Sequence, residues 1–146
     1  MNNKKNHTEL RELIRSFERK LGLLDEEMSC CGITLAQCQA LVEIGRAKSI
    51  SLKQLAELLN LEKSTVSRTV NSLVENGYVE RRTDPEDRRY IKISLSKDGE
   101  KLFTTIESDM DRYFEIIFNS LPENKKDQVL ESLELLLKAV DQIDCC

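Results

Sequence analysis

The run Lys63-Ser64-Thr65-Val66-Ser67-Arg68-Thr69-Val70-Asn71-Ser72-Leu73-Val74-Glu75-Asn76-Gly77 has two faces. Val66, Val70, Leu73 and Val74 fall at i, i+4, i+7 and i+8, which is one buried stripe of a helix. The opposite face then carries Lys63, Ser64, Thr65, Ser67, Arg68 and Asn71. These are short hydrogen-bonding groups with two cations and no carboxylate. A helix that enters the DNA major groove needs that mixture: bulky groups would hold it off the base edges, and carboxylates would be repelled by phosphate. Asn76-Gly77 closes the helix, Gly being the usual residue just past a helix end.

The segments on either side agree with that reading. Upstream, Ser51-Leu52-Lys53-Gln54 places a Ser three residues before a Gln, so hydroxyl and amide can cap each other's free N–H groups, and a helix is expected to start there. Its apolar residues Leu55, Ala56, Leu58 and Leu59 leave Lys53 and Glu57 outside, and Asn60-Leu61 supplies the bend before the next helix. Downstream, Tyr78–Arg82 and Arg89–Leu95 read as two strands, the second with Ile91, Ile93 and Leu95 on one face and Tyr90, Lys92 and Ser94 on the other. The loop between them, Asp84-Pro85-Glu86-Asp87-Arg88-Arg89, brings Arg88 and Arg89 to or near a hairpin tip, where a cation can reach a narrow, electronegative minor groove. A solvated charged turn is the bland alternative for the loop taken alone. Three short amphipathic segments followed by a basic hairpin, between Thr34 and Ser96, is the order of a winged helix-turn-helix. DNA binding is therefore the leading function.

At this point the chain resembles the MarR family of bacterial transcription regulators, over nearly its whole length and most closely from Leu52 to Gly99. The resemblance rests on Ser64-Thr65-Val66-Ser67-Arg68 through Asn76-Gly77-Tyr78-Val79, then Arg82-Thr83-Asp84-Pro85-Glu86-Asp87-Arg88-Arg89, then Leu95-Ser96-Lys97-Asp98-Gly99. Each piece is weak alone, and the ordered set is specific. The family's Asp-x-Arg wing signature falls on Asp87 and Arg89, so the resemblance implies a minor-groove contact by Arg89 with Asp87 as its support. It departs at Glu62, where the family often has Asp opening the recognition helix, and Glu is the poorer cap.

Composition fits once it is divided by region. The 146-residue chain has net charge -4, yet residues 46–92 hold 10 Lys+Arg against 7 Asp+Glu, net +3, and the remainder holds 12 against 19, net -7. An acidic body behind a mildly basic face would repel DNA everywhere except at that face, favouring one docking geometry over nonspecific coating. The length suits one domain with a real core, and no apolar run approaches the roughly 20 residues of a membrane span. The start, Asn2-Asn3-Lys4-Lys5-Asn6-His7, leads into an amphipathic helix and not an apolar stretch, so no signal peptide is read and a cytoplasmic location is expected.

The flanks read as an assembly device. Leu10, Leu13, Phe17, Leu21 and Leu24 recur at intervals of three and four, as do Val129, Leu133, Leu136, Val140 and Ile143. Such seams need a partner helix. Between them Ser96 with Asp98 opens a long helix carrying Phe103, Ile106, Met110, Tyr113 and Ile117 on one face, and Pro122 marks the first turn of the last helix. These stripes could be core within one chain, but three of them around so small a unit point to a shared dimer domain, as the MarR resemblance also implies. The expected organisation is mostly α with a small β wing: residues 1–33 a dimerisation helix and junction, 34–96 the winged helix-turn-helix, and 97–146 dimerisation helices.

Five cysteines, Cys30, Cys31, Cys38, Cys145 and Cys146, all lie outside the reading surface. In a reducing cytosol they are expected as thiols, and their number is odd in any case. Cys38 fits the apolar face of a helix capped by Thr34 and Gln37, beside Leu35, Leu41 and Val42, and free Cys is a common core residue. The adjacent pairs Cys30-Cys31 and Cys145-Cys146 have no such explanation. Three thiolates could hold a metalloid such as arsenite and four could hold zinc or cadmium. A thiolate near a helix start could instead be oxidised or alkylated. Passive cysteines, with a small phenolic or carboxylate inducer of the sort MarR relatives commonly bind, are the third reading. No strand-loop-helix active site surrounds the pairs, and no Ser-His-Asp set or phosphate loop is visible, so an enzyme is not expected. A thiol-exchange enzyme or a purely helical interaction protein would leave the placement of Arg68 and Arg89 unexplained.

Overall fold

The computed structural model describes the backbone of residues 3–28 and 32–143, and the side chains of 6–21 and 32–143. Its elements are α1 (Asn3–Met28), α2 (Leu35–Ala47), β1 (Ile50–Ser51), α3 (Leu52–Leu59), α4 (Lys63–Glu75), β2 (Val79–Thr83), β3 (Ile91–Leu95), α5 (Lys97–Asn119), a 3-10 turn (Glu123–Lys125) and α6 (Lys126–Asp141). The fold is thus mostly helical with a small sheet, as the hydrophobic patterning predicts.

One capping device starts two consecutive helices. Gln37 N donates to Thr34 Oγ1 at 3.2 Å while Thr34 N donates to Gln37 Oε1 at 3.0 Å, opening α2. Gln54 N donates to Ser51 Oγ at 3.1 Å while Ser51 N donates to Gln54 Oε1 at 3.1 Å, opening α3. Each exchange satisfies two backbone donors that a helix start otherwise leaves open. Helix α3 ends at Asn60 in the left-handed region, φ 53°, which turns the chain into α4. At Glu62 no side-chain cap forms, in keeping with the sequence.

The core of this part is Ala40, Leu41 and Ile44 of α2, Leu55 and Ala56 of α3, and Val66, Val70 and Leu73 of α4, closed below by Ile50, Val79 and Ile93. Full burial of each Leu, Ile or Val contributes about 1.5–3 kcal/mol, so these three short helices are held by their shared apolar stripes more than by their own propensity. Two expectations need correction. Leu58 is exposed, because α3 offers only the Leu55–Ala56 side to α2 and α4. Val74 is half-buried at the edge of the α4 stripe.

The sheet is antiparallel in the order β1-β3-β2, so it has three strands where the sequence shows two. Strand β1 pairs Ile50 with Ile93 and Ser51 with Lys92; two residues are too short to produce a visible period. The β2–β3 ladder runs from Val79↔Leu95 to Thr83↔Ile91. Ile93 is buried but Ile91, on the same face, is exposed, since it lies toward the tip of the hairpin beyond the helices.

Ser96 precedes helix α5, its Oγ accepting from Gly99 N at 3.1 Å, with Asp98 and Glu100 in the first turn complementing the helix dipole. Pro122 precedes the 3-10 turn, and α6 begins only at Lys126, so the last helix starts later than the proline suggests. By compactness the chain divides into two units, residues 1–104 and 105–146. In the first, Leu10, Leu13 and Phe17 of α1 are exposed and Leu21 is half-buried, the side chain at Leu24 lying outside the described residues. In the second, no residue of α6 is buried; Val129 and Leu136 are half-buried, while Leu133, Val140 and Ile143 are exposed. On α5, Ile106 is buried and Phe103, Met110, Tyr113 and Ile117 are half-buried.

Candidate nucleic-acid interface

The buried stripe of α4 fixes what the helix presents. With Val66, Val70 and Leu73 packed inward, Lys63, Ser64, Arg68 and Asn71 are exposed, and Thr65 and Ser67 are half-buried at the margins. Two further hydroxyls in the helix point elsewhere. Thr69 Oγ1 donates to Thr65 O at 3.1 Å and Ser72 Oγ donates to Arg68 O at 3.2 Å, so both are turned back onto helix carbonyls. The outward donors are therefore the six residues that the periodicity selects.

The wing tip is an ordered loop. Asp84 N donates to Tyr90 O at 2.9 Å and Tyr90 N donates to Asp87 O at 3.0 Å, closing it across its base. Glu86 N donates to Asp84 Oδ1 at 3.0 Å, an Asp side chain standing in for a turn carbonyl. Asp87 does the same for Arg89 N at 3.1 Å, and its carboxylate also receives Arg89 Nε at 3.2 Å and Nη2 at 3.4 Å. The guanidinium is thus held by a two-pronged ion pair while the Arg89 side chain stays 88% exposed. A planar, permanently charged fork held in one orientation on a projecting hairpin suits insertion into a groove or a phosphate contact. Arg88 is exposed beside it.

Sequence reasoning missed the shaft of the wing. The ladder sets Arg82 opposite Lys92, two cations side by side, with Arg82 Nη2 3.4 Å from Glu80 Oε2 on the same strand. Like charges directly opposite one another weaken a strand pair, and a polyanion on that face would offset the repulsion. Their pairing follows from counting back from the loop, a step that needs the register as well as the alternation.

Of the five cysteines, Cys38 lies among the described residues. Cys38 is half-buried on α2, while Leu35, expected beside it on the apolar face, is exposed. Cys30, Cys31, Cys145 and Cys146 lie outside the described residues, and among the described ones no cluster of three His, Cys, Asp or Glu could hold a metal ion. Two open grooves flank α3. One is lined by Ala47, Ser49, Ile50, Gln54, Glu57 and Leu58, the other by Lys53, Ala56, Glu57, Asn60, Leu61, Glu62 and Lys63. Among the described residues no helix is long and apolar enough to cross a membrane.

Known proteins share this sequence pattern and fold. The MarR family profile matches residues 32–89. The HTH-type transcriptional regulator BilQ of Clostridium symbiosum is 28% identical over 114 residues, covering 78% of this chain and 79% of BilQ. A MarR transcriptional regulator from Methanosarcina mazei superposes with a TM-score of 0.76 at 26% identity, covering 93% of this chain and 99% of that one. Streptococcus pneumoniae FabT, solved in complex with DNA, superposes with a TM-score of 0.86 at 20% identity, covering 94% and 99%; at that identity the likeness speaks to the fold. The matched stretch contains α2, α3, α4 and the wing through Arg89, and the relatives extend the match across the flanking helices. The family match over the winged-helix part and these relatives together support a MarR-family winged-helix regulator.

Proposed function

We propose that this protein is a sequence-specific DNA-binding repressor that works as a homodimer, with α4 of each protomer in one of two successive major grooves and the two wings in the flanking minor grooves. The observation that carries the proposal is Arg89: an exposed guanidinium fixed by Asp87 at the tip of a hairpin, in a chain whose α4 has the outward face Lys63, Ser64, Thr65, Ser67, Arg68 and Asn71. FabT, similar in fold, was solved with DNA, which supports DNA as the partner here. The exposed apolar residues Leu10, Leu13 and Phe17 of α1 and Leu133, Leu137 and Val140 of α6 support a second protomer as their cover. A two-fold dimer reads a pseudo-palindrome with half-sites about 34 Å apart.

The test is selection from a genomic fragment pool by wild type, Arg68→Ala and Arg89→Ala. If Arg68 reads a base, its loss changes the sequences selected. Loss of Arg89 weakens all sites, A·T-flanked ones most, and lowers the salt dependence. Both variants selecting and binding like wild type would refute the placement.

The thiols form the second part of the proposal: Cys30, Cys31 or Cys38 joined to Cys145 or Cys146 by a thiophilic ion or by oxidation, relieving repression. Its support is chemical, namely two adjacent thiol pairs without a packing role legible in the sequence. An inducer of this kind acts only by preferring one spacing of the reading heads. Titrating arsenite, cadmium, zinc and an organic peroxide against the reduced protein–DNA complex, with Cys30→Ser/Cys31→Ser and Cys145→Ser/Cys146→Ser as controls, separates the routes. Release by a metal or metalloid that both variants lose supports coordination, and release by peroxide alone supports oxidation. No change in affinity at about a hundredfold excess of every agent would make the cysteines passive.

A further inference from the structure

Where the wing returns to the helices, one serine and one glycine join three elements. The chain leaves α4 through Gly77, whose φ is +82°, and Gly77 N and Tyr78 N donate back to Val74 O at 3.0 Å and Leu73 O at 2.9 Å. Residues 77 and 78 are therefore tied to the last turn of α4. Beyond the last ladder pair, Val79↔Leu95, Ser96 N donates to Tyr78 O at 3.0 Å. The Ser96 hydroxyl then acts in two directions, donating to Gly77 O at 2.5 Å and accepting from Gly99 N at 3.1 Å in the first turn of α5. Gly99 itself is buried against the same peptide: a Cβ there would overlap the Tyr78 carbonyl, backbone that cannot rotate aside.

We infer that Ser96 and Gly99 form a clasp that sets the reading helix at a fixed angle to α5, and so are positioning residues for DNA recognition that touch no DNA themselves. The hydroxyl's two bonds carry the distinction. A helix cap needs only an acceptor for Gly99 N, which Asp supplies at least as well as Ser. Donation to Gly77 O is extra to capping, and it links the end of α4 to the start of α5. With Gly99 pressed on Tyr78, the end of α4 and the start of α5 are joined directly as well as through the wing. Helix α5 runs without a break from Lys97 to Asn119. In a dimer the angle at its first turn therefore helps determine the distance between the two reading heads. This inference rests on the dimeric DNA-reading function proposed above.

The experiment measures affinity for duplexes carrying two copies of the selected half-site, their separation varied one base pair at a time. Full-length wild type, Ser96→Asp, Ser96→Thr and Gly99→Ala are compared, each with its melting temperature. Wild type should favour one separation sharply. Ser96→Asp keeps the cap but loses the donor, and Gly99→Ala pushes the Tyr78 peptide away; each should reduce the preference for the favoured separation over its neighbours by about tenfold, a typical size for coupling through one structural element. Ser96→Thr retains both bonds and should keep the wild-type profile. Half-site base preference should be the same in all four. A wild-type separation profile in Ser96→Asp and Gly99→Ala would overturn the inference. So would an equal loss at every separation, which marks a folding element and not a positioning one. Wild type indifferent to separation would instead count against the dimeric reading itself.

Discussion

Replacing Asp87 with Ala separates two opposed effects by sign. The carboxylate stands at the wing tip, which in the proposed complex faces a polyanion, so on charge alone its removal from both protomers should tighten DNA binding. Geometry says the reverse. Asp87 receives Arg89 N, Nε and Nη2 at 3.1, 3.2 and 3.4 Å, and the Arg89 side chain, 88% exposed, has little packing to hold it otherwise. Without Asp87, the guanidinium must be ordered when DNA binds, at about 0.5–1.5 kcal/mol per side chain. With two wings the loss is about 2 kcal/mol, or about 30-fold in affinity. The pair is too exposed to add much to folding, so the melting temperature should hardly move. Fluorescence anisotropy at several salt concentrations provides the assay. Asp87→Ala should bind about 30-fold more weakly with its salt slope unreduced, because no cation has been lost, whereas Arg89→Ala should lose affinity and also flatten the slope by about 0.9 per phosphate contact removed. Tighter binding by Asp87→Ala would show that its charge matters more than its hold on Arg89, and the assignment of Arg89 as a pre-oriented contact would fall.

Other outcomes follow from the packing. Lys48 sits past the end of α2 at φ 66°, ψ -46°, a backbone state that L-residues rarely adopt, so Lys48→Gly should stabilise the fold by about 1 kcal/mol in denaturant titrations; a destabilised variant would contradict this. Leu41 of α2 is fully buried, so Leu41→Ala should cost about 2–5 kcal/mol, read as an earlier unfolding midpoint, and a loss below 1 kcal/mol would mean the site collapses without a cavity. Leu133→Asp with Leu136→Asp places charge in the proposed dimer seam on α6, and because Leu133 is exposed and Leu136 half-buried in the protomer, the winged helix should stay folded while dimer and specific binding are lost. Sedimentation as a stable dimer would remove α6 from the interface.

The reading helix and wing were legible because their signals are local. Val66, Val70 and Leu73 establish one face of α4 by spacing alone, and that at once selects the outward residues. Ser51 with Gln54, and Thr34 with Gln37, mark helix starts by chemistry that acts over three residues. What escaped was non-local or too short. Strand β1 exists because Ile50 meets Ile93 some forty residues on, and nothing in Ile50-Ser51 announces it. The clasp at Ser96 is visible in sequence only as a helix cap; its second bond, to Gly77, depends on the hairpin having brought the two together.

The flanking helices show a different limit of periodicity. A stripe at intervals of three and four says that a face is apolar, not what covers it. On α4 the stripe is covered within the protomer and Val70 and Leu73 have no exposed surface. On α1 and α6 the same spacing leaves Leu13, Leu133 and Val140 exposed, and α6 adds Leu130, Leu135 and Leu137, which the single heptad-like seam does not predict. Six large apolar side chains exposed along one 16-residue helix and the residues after it, Ile143 included with Leu130, Leu133, Leu135, Leu137 and Val140, exceed the scattered surface hydrophobics that need no explanation. Burying them needs a further surface packed against α6. In the proposed dimer a second copy is the partner whose symmetry also accounts for one reading head per chain, and the two-fold repeat expected of the operator and the exposed face of α6 become two consequences of one association.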